Sequence, residues 1–433
     1  MKTKASEMLD RAPPADLLQD ATADTETKKD QMILTTTDGQ SDLPRYFTHV
    51  FAMAQKMNHG RVDFVVPDGR RFRATGKKPG PVAEIHIHNN DLFARLIREG
   101  DLGFCDGYLE NWWSTPDLQA FMDLVHADNE DIYDGFPGFA LLRNFEKLRF
   151  WLQRNHKTQA RRNISYHYDL GNDFYKLWLD ETMTYSSALF RTGQESLEAA
   201  QIEKYKLMVD EIGAQPGDHI LEIGCGWGGF AEYAAKERGL RVTGLTISQQ
   251  QFNYAKERIE KAGLSDLVTF KLQDYRDEKG SYDGIASIEM FEAVGQRYWP
   301  VYFRTVRDRL KPGKTATFQI ITVADRRWKA YQRGVDFIQK YIFPGGMLPC
   351  PSVLRSEISK AGLGVERSVE FGASYAVTLR LWYETFNERW DQVSALGFDE
   401  RFRRMWNFYL TSCVATFESA NTDVTQITVR KPA

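Results

Sequence analysis

Leu221-Glu222-Ile223-Gly224-Cys225-Gly226-Trp227-Gly228-Gly229 is the stretch that decides the fold. The apolar run from His219 to Ile223 reads as a buried strand ending on an acid, followed by a glycine-rich turn and a helix over 229–238. Glycine has no Cβ, so such a turn bends tightly and lets backbone approach a ligand closely. The helix start adds unpaired N–H groups and a positive dipole end. Gly224, Gly226 and Gly229 also satisfy the dinucleotide pattern G-x-G-x-x-G, so the glycines alone do not choose the ligand. Two neighbours do. Glu222 would repel a pyrophosphate but suits the cationic amino-acid end or the sulfonium of S-adenosylmethionine. The next strand, 241–245, ends in Thr246, with no acid there to hold an NAD ribose.

Working outward, strands near 267–272, 283–288 and 314–321 alternate with helices near 249–262 and 298–310. That alternation predicts an α/β fold: a doubly wound, Rossmann-like sheet of the class I methyltransferase type, with its ligand at the carboxyl ends of the strands. Thr246 and Gln251 are placed to offer hydroxyl and amide groups to the ribose and methionine parts of the cofactor. Asp274 and Tyr275, after the third strand, are placed to accept from the adenine amino group and to cover its ring. Ser248 reads as a helix N-cap. Helical segments near 380–391 and 400–418 are expected to cover the sheet.

Ahead of this domain, assigned to 166–433, the chain changes character. Residues 1–42 are polar and charged without an apolar period, as in a disordered tail. A smaller N-terminal α+β domain, expected to associate with lipid or membrane, covers 43–140. It has a hairpin around Pro67-Asp68-Gly69 and helical character over 91–126. The stretch 141–165 reads as a basic linker helix, where basic residues between Arg143 and Arg162 face a single Glu146. Its apolar side carries Phe145 and Trp151, which suits an anionic headgroup boundary or packing on a neighbouring element, and both readings stay open.

Composition narrows the partners. A net charge of −3 over 433 residues argues against nucleic acid. Cys105, Cys225, Cys350 and Cys413 are scattered without a C-x-x-C pair, which points to reduced thiols in the cytoplasm and to no metal site. The N-terminus has no apolar signal region, and no stretch is long enough to span a bilayer. Any contact with lipid is expected from the side, at the inner face of the membrane.

At this point the chain resembles the cyclopropane-fatty-acyl-phospholipid synthase family, including the mycolic acid cyclopropane synthases. The resemblance rests on Tyr166 to Phe174, Thr184-Tyr185-Ser186, Leu221 to Gly229, Gly244 to Ser248, Gln273 to Arg276, Met290-Phe291-Glu292, Tyr341 to Gly346 and Leu381-Trp382-Tyr383. It extends over about 90–433 and includes Gly107 to Trp113.

The resemblance implies a reaction and a set of site residues. Such enzymes add the methyl of S-adenosylmethionine to the cis double bond of an acyl chain, usually in a bilayer phospholipid, and close a cyclopropane ring. Tyr185 and Ser186 join the cofactor residues Glu222, Gly224, Gly226, Thr246, Gln251, Asp274 and Tyr275. Aromatic faces such as Trp227, Phe291, Phe343 and Trp382 are candidates to stabilise the carbocation left by methylation. The implied base is a bound bicarbonate held by a Cys, a Glu, a His and a Tyr. Carried over, the Glu is Glu292 and the Tyr is Tyr383, while Ser187 and Gln319 stand where the Cys and His are expected. Glutamine does not ionise as histidine does, so deprotonation is the altered step and methyl transfer is not. A methyl-branched or methylene product is the alternative, a raised-pKa Glu292 acting as the base is another, and a non-catalytic lipid-binding paralogue is a third. A small-molecule methyltransferase fits less well with the N-terminal domain. Cys413 matches a cysteine proposed as catalytic in the family, although a thiol that serves as a small buried hydrophobe explains it too. His167 and Tyr168 are expected to close over the cofactor, and the resemblance also allows a homodimer.

Overall fold

The computed structural model describes residues 33–127 and 170–433. The expectations for residues 1–32, the basic stretch 141–165 and His167-Tyr168 fall outside these. The described residues form two compact units: 33–127 with 397–419, and 170–396 with 420–433.

The first unit holds a five-stranded sheet in the order β1-β3-β2-β4-β5. Its strands are β1 (Ile33–Leu34), β2 (His59–Val65), β3 (Arg71–Thr75), β4 (Lys78–Ile87) and β5 (Trp113–Ser114). The hairpin expected around Pro67-Asp68-Gly69 is β2 and β3, antiparallel, with Phe64 opposite Phe72. Phe47, Phe51, Phe72 and Phe93 are almost wholly buried and interlock, with Phe47 and Phe72 ring centres 5.0 Å apart. Helix Glu400–Glu418, read above as cover for the large sheet, belongs to this unit. Arg404 donates to the carbonyls of Tyr108 at 2.7 Å and Trp113 at 2.9 Å, and its guanidinium lies 4.4 Å from the Tyr108 ring centre. Helical period alone shows that this helix has an apolar face, but not which core receives it.

The second unit is built on a seven-stranded sheet in the order β11-β12-β10-β9-β6-β7-β8. Its strands are β6 (His219–Ile223), β7 (Arg241–Thr246), β8 (Val268–Leu272), β9 (Tyr282–Ile288), β10 (Leu310–Val323), β11 (Gly364–Glu370) and β12 (Thr422–Arg430). Strands β6 to β10 are parallel, and β12 runs antiparallel to both β10 and β11. This is the doubly wound class I methyltransferase sheet. Helices Gly229–Arg238, Gln249–Lys261 and Trp299–Arg309 connect the parallel strands. Ser248 caps the second of them by accepting from the Gln251 N–H at 3.3 Å.

Because β6 carries on through β7 to one side while β9 lies on its other side, strand order reverses between them. The crevice beyond the carboxyl ends of β6 and β9 is therefore the place for a ligand. Behind it, Leu221, Ile285, Phe318 and Ile320 are fully buried in one core with Trp299, Tyr302 and Phe303. Truncating Ile320 to alanine leaves a cavity at the interior strand β10. The variant should lose about 2–5 kcal/mol of stability in denaturant unfolding of this unit.

Candidate active site

The glycine turn is confirmed atom by atom. Gly224, Gly226 and Gly228 all have positive φ, at 85°, 49° and 85°. A Cβ on Gly224 would lie 2.7 Å from the Met290 side chain, whereas one on Gly226 would meet nothing within 4 Å. The first glycine thus lets the end of β9 pack against the turn, and the second keeps backbone open beside it. Trp227 donates from its indole to Asn172 at 2.8 Å, tying the turn to the Asp-Leu-Gly-Asn segment.

Glu222 is 2% exposed, and its Oε2 has no hydrogen-bond partner within the protein. Burial pushes its carboxyl up to about 8. A buried acceptor left open beside a glycine turn at a helix start fits a cationic, hydroxyl-bearing ligand such as S-adenosylmethionine. Thr246 and Gln251 are buried side by side at the end of β7, with the Thr246 hydroxyl donating to the Gln251 carbonyl oxygen at 3.0 Å. Asp274 follows β8, and its carboxylate is gripped by the Arg276 guanidinium at 2.8 and 2.6 Å. Tyr275 packs edge-on against Tyr302 at 5.4 Å.

Segment 184–187 lies against the start of helix Gly229–Arg238: a Cβ on Gly229 would meet the Tyr205 hydroxyl at 2.8 Å, and Thr184 hydrogen-bonds that same hydroxyl. Tyr185 enters an aromatic wall with Trp382 at 5.3 Å, Trp178 and Tyr175 at 5.5 Å, and Phe343 at 6.4 Å. Tyr175 in turn packs on Trp227 at 4.9 Å. Phe291, the other aromatic candidate, stacks on Trp299 in the core instead. Tyr383 follows Trp382 on helix Gly372–Glu388 and is half-buried.

Ser187, Gln319 and Glu292 come together around an acid that the sequence reading passed over, Glu289. Glu289 Oε1 accepts from the Ser187 backbone N–H at 2.8 Å and from the Gln319 amide at 2.8 Å, and Oε2 accepts from the Tyr375 hydroxyl at 2.7 Å. The Ser187 hydroxyl itself donates to the Ala188 carbonyl at 2.9 Å. Behind this group the fully buried Lys204 donates to Ser186 Oγ at 2.7 Å. Burial lowers the Lys204 ammonium and raises the Glu289 carboxyl, while the Tyr375 and Gln319 donors and the Lys204 charge pull Glu289 back down. Glu292 lies one turn on, its Oε1 accepting from the Ile321 N–H at 2.6 Å and its Oε2 without a protein partner. Burial, and next the charge of Glu289, push Glu292 up to about 8. Glu289 and Glu292 are half-buried as whole residues, and the Glu292 Oε2 is itself buried.

A signal for Glu289 existed: it is an acid directly after the expected strand 283–288. Lys204 had only a helical position, within Leu197–Ile212. Cys413 lies on helix Glu400–Glu418, which belongs to the first unit.

Comparison with known proteins identifies the relatives of this chain. The family model described as mycolic acid cyclopropane synthetase matches residues 155–427. The tuberculostearic acid methyltransferase UfaA1 of Mycobacterium tuberculosis is 38% identical over 373 residues, covering 82% of this chain and 85% of its own. The cyclopropane-fatty-acyl-phospholipid synthase of Escherichia coli is 35% identical over 356 residues, covering 80% and 87%. Among solved structures, a mycolic acid cyclopropane synthase complexed with SAH and CTAB superposes with a TM-score of 0.60 at 31% identity, over 63% of this chain and 98% of that one. The cyclopropane synthase MmaA2 of Mycobacterium tuberculosis gives a TM-score of 0.59, also at 31% identity, over the same shares.

Glu222 supplies a test through proton linkage. Its folded value near 8 lies above the unfolded value, so its contribution is fully present below about pH 4.5 and is lost as pH rises toward 8. The cofactor-free protein should therefore lose stability across that window, by up to about 1.4 kcal/mol per pH unit from this group. Glu222→Gln should remove that share of the slope in unfolding measured at several pH values, and should weaken cofactor binding in calorimetry.

Proposed function

The chain belongs to the mycolic acid cyclopropane synthetase family and is an S-adenosylmethionine-dependent methyltransferase, and from that premise we propose that it methylates the cis double bond of unsaturated acyl chains in membrane phospholipids. The observation that carries the reading is the crevice at β6 and β9. A glycine turn, an aromatic wall and two neighbouring glutamates border one unit's ligand-binding edge.

Bound in the turn, S-adenosylmethionine supplies an electrophilic methyl. Glu222 would hold the cofactor's polar end, and Thr246, Gln251, Asp274 and Tyr275 at the neighbouring strand ends would hold the rest. An olefin is a weak nucleophile, so the chain's contribution is to exclude water and fix the alkene in line. Tyr185, Trp178 and Trp382 present apolar faces suited to an acyl chain and to the positive charge that methylation leaves on it. Glu292, with its uncommitted Oε2, is placed to receive a proton.

Ring closure is the leading outcome. A methyl-branched or methylene chain is the second reading, supported by Ser187 and Gln319 at the altered positions and by a relative named for tuberculostearic acid. Among the described residues no helix is long and apolar enough to cross a membrane. The reading includes peripheral association with the inner face of the membrane, with the lipid reached from the side.

Incubation with methyl-labelled cofactor and vesicles of unsaturated phospholipid, followed by mass spectrometry of the released fatty acids, tests the reading. Labelled ring product is expected, labelled branched or methylene chains establish the second reading, and unlabelled lipid with intact cofactor binding defeats both. Glu292→Gln should lower turnover by about a hundredfold or more while leaving cofactor affinity nearly unchanged. An unaffected rate would remove Glu292 from the reaction.

A further inference from the structure

The resemblance noted in the sequence calls for a bound bicarbonate at Ser187, Glu292, Gln319 and Tyr383, and the side chains present do not fit it. The Ser187 N–H and the Gln319 amide are both spent on Glu289 Oε1, each at 2.8 Å. The Ser187 hydroxyl is turned to the Ala188 carbonyl. The second N–H of the Gln319 amide donates to the Ser187 carbonyl at 3.1 Å, and its own carbonyl oxygen accepts from Gln426 at 3.0 Å. An added anion would also be a third negative group beside two acids, one of which is already raised by the charge of the other.

Glu289 has a second mark of its own. It is one of the few non-glycine residues with positive φ, at 48°, in a backbone region that suits glycine. A side chain kept there is strained, and such strain gathers at functional positions. The strain is held in place from both sides. The Glu289 N–H donates to the Gln319 carbonyl at 2.8 Å, and Met290, next in the chain, abuts Gly224 of the cofactor turn. The carboxylate therefore stands at the carboxyl end of β9, one strand from Glu222, with three donors on it.

We propose that Glu289 is the built-in anion of this active site, a carboxylate of the chain in the place of bicarbonate, and that turnover needs no dissolved bicarbonate. The proposal rests on the reading of the chain as an acyl-chain methyltransferase. In the step concerned, a C–H bond of the newly attached methyl breaks and its electron pair forms the bond to the cationic carbon, closing the ring. The proton passes to a carboxylate of the Glu289–Glu292 pair, which becomes a neutral acid and later releases it to water. For the methylene product, hydrogen first shifts from the methylated carbon to its cationic neighbour. The same methyl C–H pair then forms a double bond, and the proton again goes to the pair.

The test uses the full-length protein, labelled cofactor and unsaturated phospholipid vesicles in decarbonated buffer, with and without added bicarbonate. Wild-type turnover should be the same in both. Glu289→Gln, which keeps the shape but not the charge, should lose about a hundredfold or more, with affinity for S-adenosylhomocysteine and unfolding temperature unchanged. Glu289→Gly relieves the backbone and frees the donors, so its turnover should be low in decarbonated buffer and rise with bicarbonate. Carbon-13 NMR of labelled bicarbonate gives a readout independent of turnover: binding to Glu289→Gly and none to wild type. Wild-type turnover that rises severalfold with bicarbonate, bicarbonate bound by wild type, or an unimpaired Glu289→Gln would each overturn the proposal. A wild type that labels no lipid would instead defeat the reading of function, and the NMR experiment would still decide whether the donors are open to an anion.

Discussion

Glu222 sets the constraint on which the site depends. A carboxylate at 2% exposure is costly to keep ionised without a partner. The fold meets that cost by letting the group stay protonated when alone and by leaving Oε2 open to a ligand. This works only where a strand ends against loops of its own layer. The strand holds the side chain in the dry interior, and the turn at Gly224 and Gly226 stops backbone from closing over it. Met290 and the end of β9 then fill the flank that a Cβ on Gly224 would have blocked.

What was legible in the sequence is what depends on near neighbours. The cofactor turn is local: strand, acid, glycines and helix follow one another, and each has a conformational reason. Ser248 as a cap is local in the same way. The parallel strands were legible because β6, β7, β9 and β10 are buried on both faces and read as apolar runs. By contrast β11 and β12 form the antiparallel end of the sheet. Their alternating polar residues, such as Arg367 opposite Thr428, disguise them as loop. Helix Glu400–Glu418 showed its apolar face but not its destination, since the residues it meets lie about 300 positions earlier.

The polar cluster was illegible for a related reason. Ser187, Glu289, Gln319 and Tyr375 are joined by hydrogen bonds spanning 30 to 132 positions of sequence. Resemblance supplied Ser187, Gln319 and Glu292 as a group but cast the first two as weakened ligands of an absent anion. In the structure they are donors to an acid of the chain itself. Read one at a time they look like losses, and read with Glu289 they form a complete set.

The chemistry that follows methyl transfer asks for little basicity and much position. A C–H bond next to a carbocation is strongly acidic, so even a carboxylate is base enough if it is already in place. A dissolved anion must first be captured and oriented, at an entropic cost that a side chain on a strand end does not incur. The environments of the two acids are also pushed apart, as a proton-transfer pair requires. Glu289 accepts three hydrogen bonds and feels Lys204, so its negative charge is supported, whereas Glu292 has one donor and a charged neighbour. Two coupled carboxyls of that kind hold one proton more readily than two and share it as a unit. In the proposed reaction the cation would meet the aromatic wall around Tyr185 and a fixed negative group for its proton. Whether a ring or a double bond forms then rests on whether hydrogen shifts to the cationic carbon before the methyl C–H bond is broken.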